Sequence, residues 1–182
     1  MGPRECRPLM ESLSAANYRP EHAHVREAMG SRPLRVRDIT MGVEDNKALI
    51  RRFYAEIDAG NIDAMDEIVA EDYVDHHPPP FPGLARGREG LKQAFRIFWE
   101  ATPGRHEIED QIAEGDRVVT RLTAYGRHER DLPGPLPATG AQIRETGVAI
   151  HRVADGQIVE HWSDRDDLGL MQQLGVISLP GG

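Results

Sequence analysis

Histidine, serine and carboxylates crowd into one stretch near the end of the chain, Ile158-Val159-Glu160-His161-Trp162-Ser163-Asp164-Arg165-Asp166-Asp167-Leu168-Gly169-Leu170. The segment alternates apolar and polar residues and then turns helical, the pattern of a strand that closes one wall of a small-molecule pocket. An unperturbed imidazole titrates near pH 6.5, so His161 can accept a proton without an activating partner. Asp164 offers a carboxylate and Ser163 a hydroxyl donor. A second group, Asp75-His76-His77, stands directly before Pro78-Pro79-Pro80. Each candidate has a plainer alternative: a core histidine satisfied by a hydrogen bond, a solvated carboxylate at a strand end, or an exposed loop pair. Adjacent histidines on an extended segment point apart, and no HxxxH or HxH spacing places two ligands on one face, so no metal site is expected. Ser163 has no glycines around it of the kind that shape a nucleophile elbow, which argues against a serine hydrolase.

The elements that position these groups are legible in the apolar spacing. Apolar residues at intervals of three and four among Ala48, Leu49, Phe53, Ala55 and Ile57 predict a helix over 44–58, stopped by Gly60. A second short helix is expected over 61–69 with Asn61 as its N-cap. Leu91, Ala94, Phe95, Phe98 and Trp99 define a third over 87–101. The rest reads as strands: 106–112 and 118–126 around Glu114-Gly115-Asp116, then 143–153 and 158–164 around Ala154-Asp155-Gly156. Three helices followed by antiparallel strands imply an α+β domain with its helices on one face of a curved sheet. If Ala154-Asp155-Gly156 is a three-residue loop, Ala149 lies opposite His161 and Gly147 opposite Ser163. One face then carries Gly147, Ala149, His151, Val159, His161 and Ser163, where small residues leave room for a cavity. The other carries Val148, Ile150, Arg152, Ile158, Glu160 and Trp162, and suits burial against another sheet, as in a homodimer. Tyr54, Phe98, Trp99 and Tyr125 are candidates to line the cavity, although aromatics at such spacing also serve as plain core. Arg127 to Thr139, with Pro133, Gly134, Pro135 and Pro137, suits a rim or lid loop.

The 182 residues suffice for one domain with a sizeable core. Residues 1–40 hold 7 arginines and 5 acids, whereas the remainder holds 15 basic and 25 acidic residues, so a net +2 and a net −10 make up the total of −8. An acidic body repels phosphate, which makes nucleic acid and anionic membrane surfaces poor partners. The single cysteine, Cys6, cannot form an intrachain disulfide, no run approaches a membrane span, and the first 41 residues lack a secretory apolar core. A cytoplasmic protein is expected. Regular patterning begins near Met41, so residues 1–42 are expected to form an extension, either an arm, with a possible short helix within 10–30, or an upstream stretch read from too early a start. A domain over 43–176 and a flexible tail over 177–182 follow.

Several segments, taken in order, carry a resemblance to a known family. Asn46-Lys47-Ala48-Leu49-Ile50-Arg51-Arg52-Phe53-Tyr54, Asp72-Tyr73-Val74-Asp75-His76, Gly87-Arg88-Glu89-Gly90-Leu91, Pro137-Ala138-Thr139-Gly140, Ile158-Val159-Glu160-His161-Trp162 and Asp167-Leu168-Gly169-Leu170-Met171-Gln172-Gln173-Leu174-Gly175 closely resemble the SnoaL-like polyketide cyclases, or ester cyclases, of the nuclear transport factor 2-like superfamily. The resemblance spans about 43–176. It implies a cone-shaped α+β barrel with a deep apolar pocket, a homodimer or higher oligomer, and no cofactor or metal. Founding members of that family close a polyketide ring by an intramolecular aldol reaction. Such chemistry needs a base for an α-proton and a buried environment that stabilises the enolate.

The resemblance also marks a departure. The family's catalytic aspartate on the last strand falls on Ser163, a histidine of some members on Ala149, and a pocket asparagine on Asp75. A bulge at Ser163 would bring Asp164 into the pocket instead. Asp166 stands where many relatives place an acid, and equally suits the N-cap of the helix that follows. The expectation is a cofactor-independent enzyme that binds a hydrophobic polyketide-like molecule, with His161 or Asp164 as base, His76 and Asp75 as polar contacts and Ser163 as donor. The alternatives are a ketosteroid-isomerase-like enzyme, favoured where Tyr54 or Tyr125 reaches the cavity as oxyanion donor, an epoxide-hydrolase-like enzyme, and a noncatalytic binding domain.

Overall fold

The computed structural model describes residues 42–134 and 136–178. The extension and its helix therefore lie outside the described residues, apart from Gly42, as do Pro135 and residues 179–182 of the tail. Among the described residues the order is α1 (Val43–Asp58), a 3-10 turn (Ile62–Ala64), α2 (Met65–Ile68), β1 (Val69–Asp75), α3 (Gly87–Ala101), β2 (Gly104–Glu114), β3 (Arg117–Arg127), β4 (Gln142–Ala154), β5 (Gln157–Arg165) and α4 (Asp167–Gln173). No helix among them is long and apolar enough to cross a membrane.

Helix α1 opens at Gly42, whose N–H donates to Asp45 Oδ2 at 3.1 Å, and buries Ile50, Phe53, Tyr54 and Ile57 along one stripe. It closes at Gly60, where φ of +71° lets the Asn61 N–H return to the Glu56 carbonyl at 2.8 Å. The second helix is shorter than its apolar spacing suggests. A 3-10 turn runs into one α-helical turn, and Val69 already belongs to β1, because it pairs with Ile158 of β5. Asn61 is not its cap; the Asn61 amide donates to Glu56 Oε2 instead.

The five strands form one sheet in the order β1-β5-β4-β3-β2. Strands β2 to β5 are antiparallel, and β1 adds in parallel along the β5 edge. The turn between β4 and β5 differs from the three-residue loop expected. Asp155 (φ +50°) and Gly156 (φ +78°) both adopt left-handed conformations, and Ala154 pairs with Gln157, so the turn has two residues. A register shift between Val153↔Ile158 and Arg152↔Glu160 then leaves Val159 as the extra residue of a bulge. Beyond it, His151 lies opposite His161, Ala149 opposite Ser163 and Gly147 opposite Arg165. The cavity face therefore keeps most of its expected members, but Ile158 moves onto it, fully buried beside Val153.

The core fills the narrow end of the cone. Ile50, Met65, Ile68, Val69, Val118 and Ile158 are fully buried there, between α1, α2 and the turn-proximal ends of the strands. At about 25 cal/mol per Å² of apolar surface, each such aliphatic side chain contributes about 1.5–3 kcal/mol. Toward the other end the sheet and helices diverge, and the space between them stays open.

Candidate active site

Cross-strand pairing arranges the concave face of the sheet in rows. The row His151, His161 and Asp75 lies next to the core, followed by Thr120, Ala149 and Ser163, then Leu122, Gly147 and Arg165, and last His106, Ala124 and Glu145. Gly147 and Ala149 leave the middle of this wall hollow. Helices α1 and α3 close the opposite side with Phe53, Tyr54, Phe95, Phe98 and Trp99, and the 78–87 segment, Leu132, Leu136 and α4 form the rim. The cavity, open at its rim, measures about 930 Å³, the size of a site for a drug-like ligand.

At the narrow end His161 Nδ1 lies 3.2 Å from Asp75 Oδ1, which also accepts the His77 backbone N–H at 2.9 Å. Burial alone would raise the Asp75 pKa, but the hydrogen bond and charge of His161, with the His77 N–H, more than offset it and hold the carboxyl below its ordinary value. A carboxylate that accepts Nδ1–H fixes the imidazole tautomer and leaves Nε2 as the proton acceptor. His77 joins this group because its Nδ1 accepts the Ser163 backbone N–H at 3.3 Å. Behind His161 stands His151, fully buried, its ring 4.9 Å from that of His161 and edge-on to Phe53 and Tyr54. Neither His151 nitrogen has a hydrogen-bond partner. Burial, with the nearby His161, lowers its pKa well below 6.5. Tyr54 also lines the cavity; burial first, then Asp58, pushes its phenol far up, so it remains a neutral donor.

The wide end carries a second polar group. Asp58, the last residue of α1, accepts the His106 backbone N–H at 2.8 Å through Oδ2 and meets His106 Nδ1 at 2.6 Å through Oδ1. Across Ala124 from His106 lies Glu145, whose Oε1 is shielded from solvent and has no hydrogen-bond partner. Burial is the main cause that raises the Glu145 pKa. Among the described residues no three His, Cys, Asp or Glu side chains converge as metal ligands.

The structure thus brings His161, Asp75, Ser163, Ala149, Tyr54 and Phe98 to one cavity. Other expectations need correction. No irregularity falls at Ser163, so Asp164 pairs with Val148 on the convex face, exposed and away from the cavity. His76 also lies outside it, stacked on Trp162 at 4.4 Å and bonded to Glu160 at 2.9 Å, and His77 takes the cavity position. Of the two expectations for Asp166 the N-cap holds: it accepts the Gly169 N–H at 2.9 Å at the start of α4, and it does not line the cavity. Tyr125 borders the cavity, but its ring lies under the Arg105 guanidinium at 4.6 Å, on the convex side of the register. Sequence reasoning passed over Asp58, His106, Glu145 and Arg165. Extending the cavity-face alternation of β4 two residues beyond Gly147 would have reached Glu145; His106 and Asp58 carry no local signal, since 48 residues separate them.

Residues 48–174 match the sequence family described as SnoaL-like polyketide cyclase. The aklanonic acid methyl ester cyclase DnrD of Streptomyces peucetius is 32% identical over 134 residues, which cover 70% of this chain and 88% of DnrD. The corresponding cyclase DauD of Streptomyces sp. (strain C5) is 30% identical over 134 residues, 70% of this chain and 80% of DauD. Among solved structures, TsrD from Streptomyces laurentii superposes with a TM-score of 0.67 at 28% identity, over 75% of this chain and 99% of TsrD.

Proposed function

Because the chain belongs to the SnoaL-like polyketide cyclase family, we propose that it binds an apolar polyketide-like molecule in the sheet cavity and performs cofactor-independent proton transfer, of the kind that drives aldol ring closure or isomerisation. The observation that carries this reading is the Asp75–His161 pair inside the cavity. Asp75 accepts from Nδ1, and Nε2 of His161 takes the proton next to a ligand carbonyl. The electrons left behind move onto the carbonyl oxygen, which neutral donors such as Tyr54 and the Ser163 hydroxyl stabilise. The enolate carbon then attacks a second carbonyl of the same molecule, and the proton held on His161 returns to the new alkoxide. Atoms balance without an outside reactant. His161 replaces an acid at position 163 as the base, and Asp164 takes no part.

Ser163, where the family resemblance places an aspartate, favours a second reading in which the domain binds such a molecule without transforming it. The two separate in one assay. The protein is incubated with aklanonic acid methyl ester, the compound named for both curated relatives, and ring-closed isomer is followed by chromatography. Turnover that falls at least about 100-fold in His161→Gln and stays within twofold in Asp164→Asn supports the enzyme, since a positioned general base contributes about 10²–10⁴-fold. Binding with no turnover supports the second reading.

We propose in addition that the convex face pairs with a second copy of the chain. Ile112, Val119, Ile150 and Trp162 form one apolar row across four strands, and Ile112 is 67% exposed.

A further inference from the structure

Glu145 is a carboxyl group that the chemistry at His161 does not use. It stands on the cavity face of β4, six residues from His151, a separation of about 20 Å along a strand at about 3.4 Å per residue. It therefore belongs to the end of the cavity away from the Asp75–His161 pair. Its Oε1 is buried without a partner. The charged groups around it are Arg165 from β5, Asp167 from α4, the α4 cap Asp166, and His106 from β2. Arg165 is already engaged with Asp167 at 3.4 Å, Asp166 with the α4 backbone, and His106 with Asp58. Arg165 and His106 favour the ionised form of Glu145, but burial outweighs them and moves its pKa up, so this carboxyl takes a proton more readily than an exposed glutamate. A protonated carboxyl is a hydrogen-bond donor. His106, whose Nδ1 is held by Asp58, has Nε2 left for a ligand. The two share a row with only Ala124 between them, so their Cα atoms lie about 10 Å apart, two strand spacings.

We propose that Glu145 and His106 form a second ligand-binding station at the wide end of the cavity, where the Glu145 carboxylic acid donates to a carbonyl oxygen of a flat, uncharged polycyclic ketone or quinone and His106 accepts from a nearby hydroxyl. The station determines which end of the ligand faces His161. This inference rests on the reading that the cavity holds a small molecule. The aromatic wall of Phe53, Phe95, Phe98 and Trp99 suits a flat ring system. The one donor and one acceptor match a hydroxy-ketone.

The probes are fluorene, 9-fluorenone and 2-hydroxy-9-fluorenone, which share one tricyclic frame, and binding is read from tryptophan quenching, since Trp99 lines the cavity. The full-length protein is expected to bind fluorenone at least about tenfold more tightly than fluorene at pH values below the Glu145 pKa. That preference declines as pH rises through the raised Glu145 pKa, because the donor proton is lost. Glu145→Leu abolishes the preference, whereas Glu145→Gln keeps an amide donor and makes the preference independent of pH. His106→Leu weakens only the hydroxyfluorenone. Both Glu145 variants should fold, since each removes a buried unpartnered carboxyl oxygen, and thermal melting checks this. Equal affinity for fluorene and fluorenone, or a preference that survives in Glu145→Leu, overturns the station and leaves the cavity reading intact. Failure of all three probes to bind overturns both.

Discussion

Replacing His151 by phenylalanine should make the fold less sensitive to acid, and the size of the effect follows from burial. His151 is fully buried with both ring nitrogens unpartnered, and burial holds its pKa well below the ordinary 6.5. The unfolded chain has no such constraint and takes up a proton below about pH 6.5. Below that value the unfolded state binds more protons than the folded one, so stability falls as pH falls, by about 1.4 kcal/mol per pH unit while the folded imidazole remains neutral. Between 6.5 and 5.0 the loss comes to about 2 kcal/mol. Phenylalanine fits against Phe53 and Tyr54 and carries no proton, so His151→Phe lacks this term. Guanidinium unfolding of both proteins at pH 7.5 and pH 5.0 measures it. The stability difference between variant and parent should shift by about 2 kcal/mol in favour of the variant at the lower pH, or about 4–8 °C in melting temperature. Titrating groups away from the His151–His161 contact are common to both proteins and cancel. If the difference is the same at both pH values, His151 is not held neutral by burial and the reasoning fails.

Two further outcomes follow from other parts of the fold. Asp166→Ala removes the side-chain acceptor for the Gly169 N–H and should cost about 0.5–2 kcal/mol in denaturant unfolding, with the loss confined to α4 in hydrogen exchange. Ile112→Glu places a charge in the apolar row of the convex face and should convert a dimer to monomer in light scattering; a wild-type protein that is already monomeric contradicts the pairing of that face.

The sequence carries its local information well and its long-range pairings poorly. Helices α1 and α3 and both hairpins followed from apolar spacing and from Gly60, Gly115 and Gly156. The joining of Asp75 to His161 did not, because the two lie 86 residues apart and meet only through the parallel pairing of β1 with β5, which no alternation within either segment reports. The choice between His76 and His77 depends on that same register. Asp164 is the solvated strand-end carboxylate that plain alternation gives, and the alternative of a bulge at Ser163 fails for a related reason. One extra residue in a strand reverses which face its side chains occupy, and the bulge that sets the β5 register lies at Val159 rather than Ser163. Glu145 and His106 become neighbours only when β2, β3 and β4 are aligned together, an arrangement set by packing across the whole sheet.

The proposed function depends on His161, oriented by Asp75, acting as the base of this cavity. The most direct measurement is single-turnover ring closure of aklanonic acid methyl ester by the wild-type protein beside His161→Gln and Asp75→Asn, with ligand binding measured in the same samples. The account predicts that both variants still bind the ester, that His161→Gln loses at least about 100-fold in rate, and that Asp75→Asn loses a large part of that factor by releasing the tautomer. A His161→Gln protein that closes the ring at the wild-type rate would contradict it.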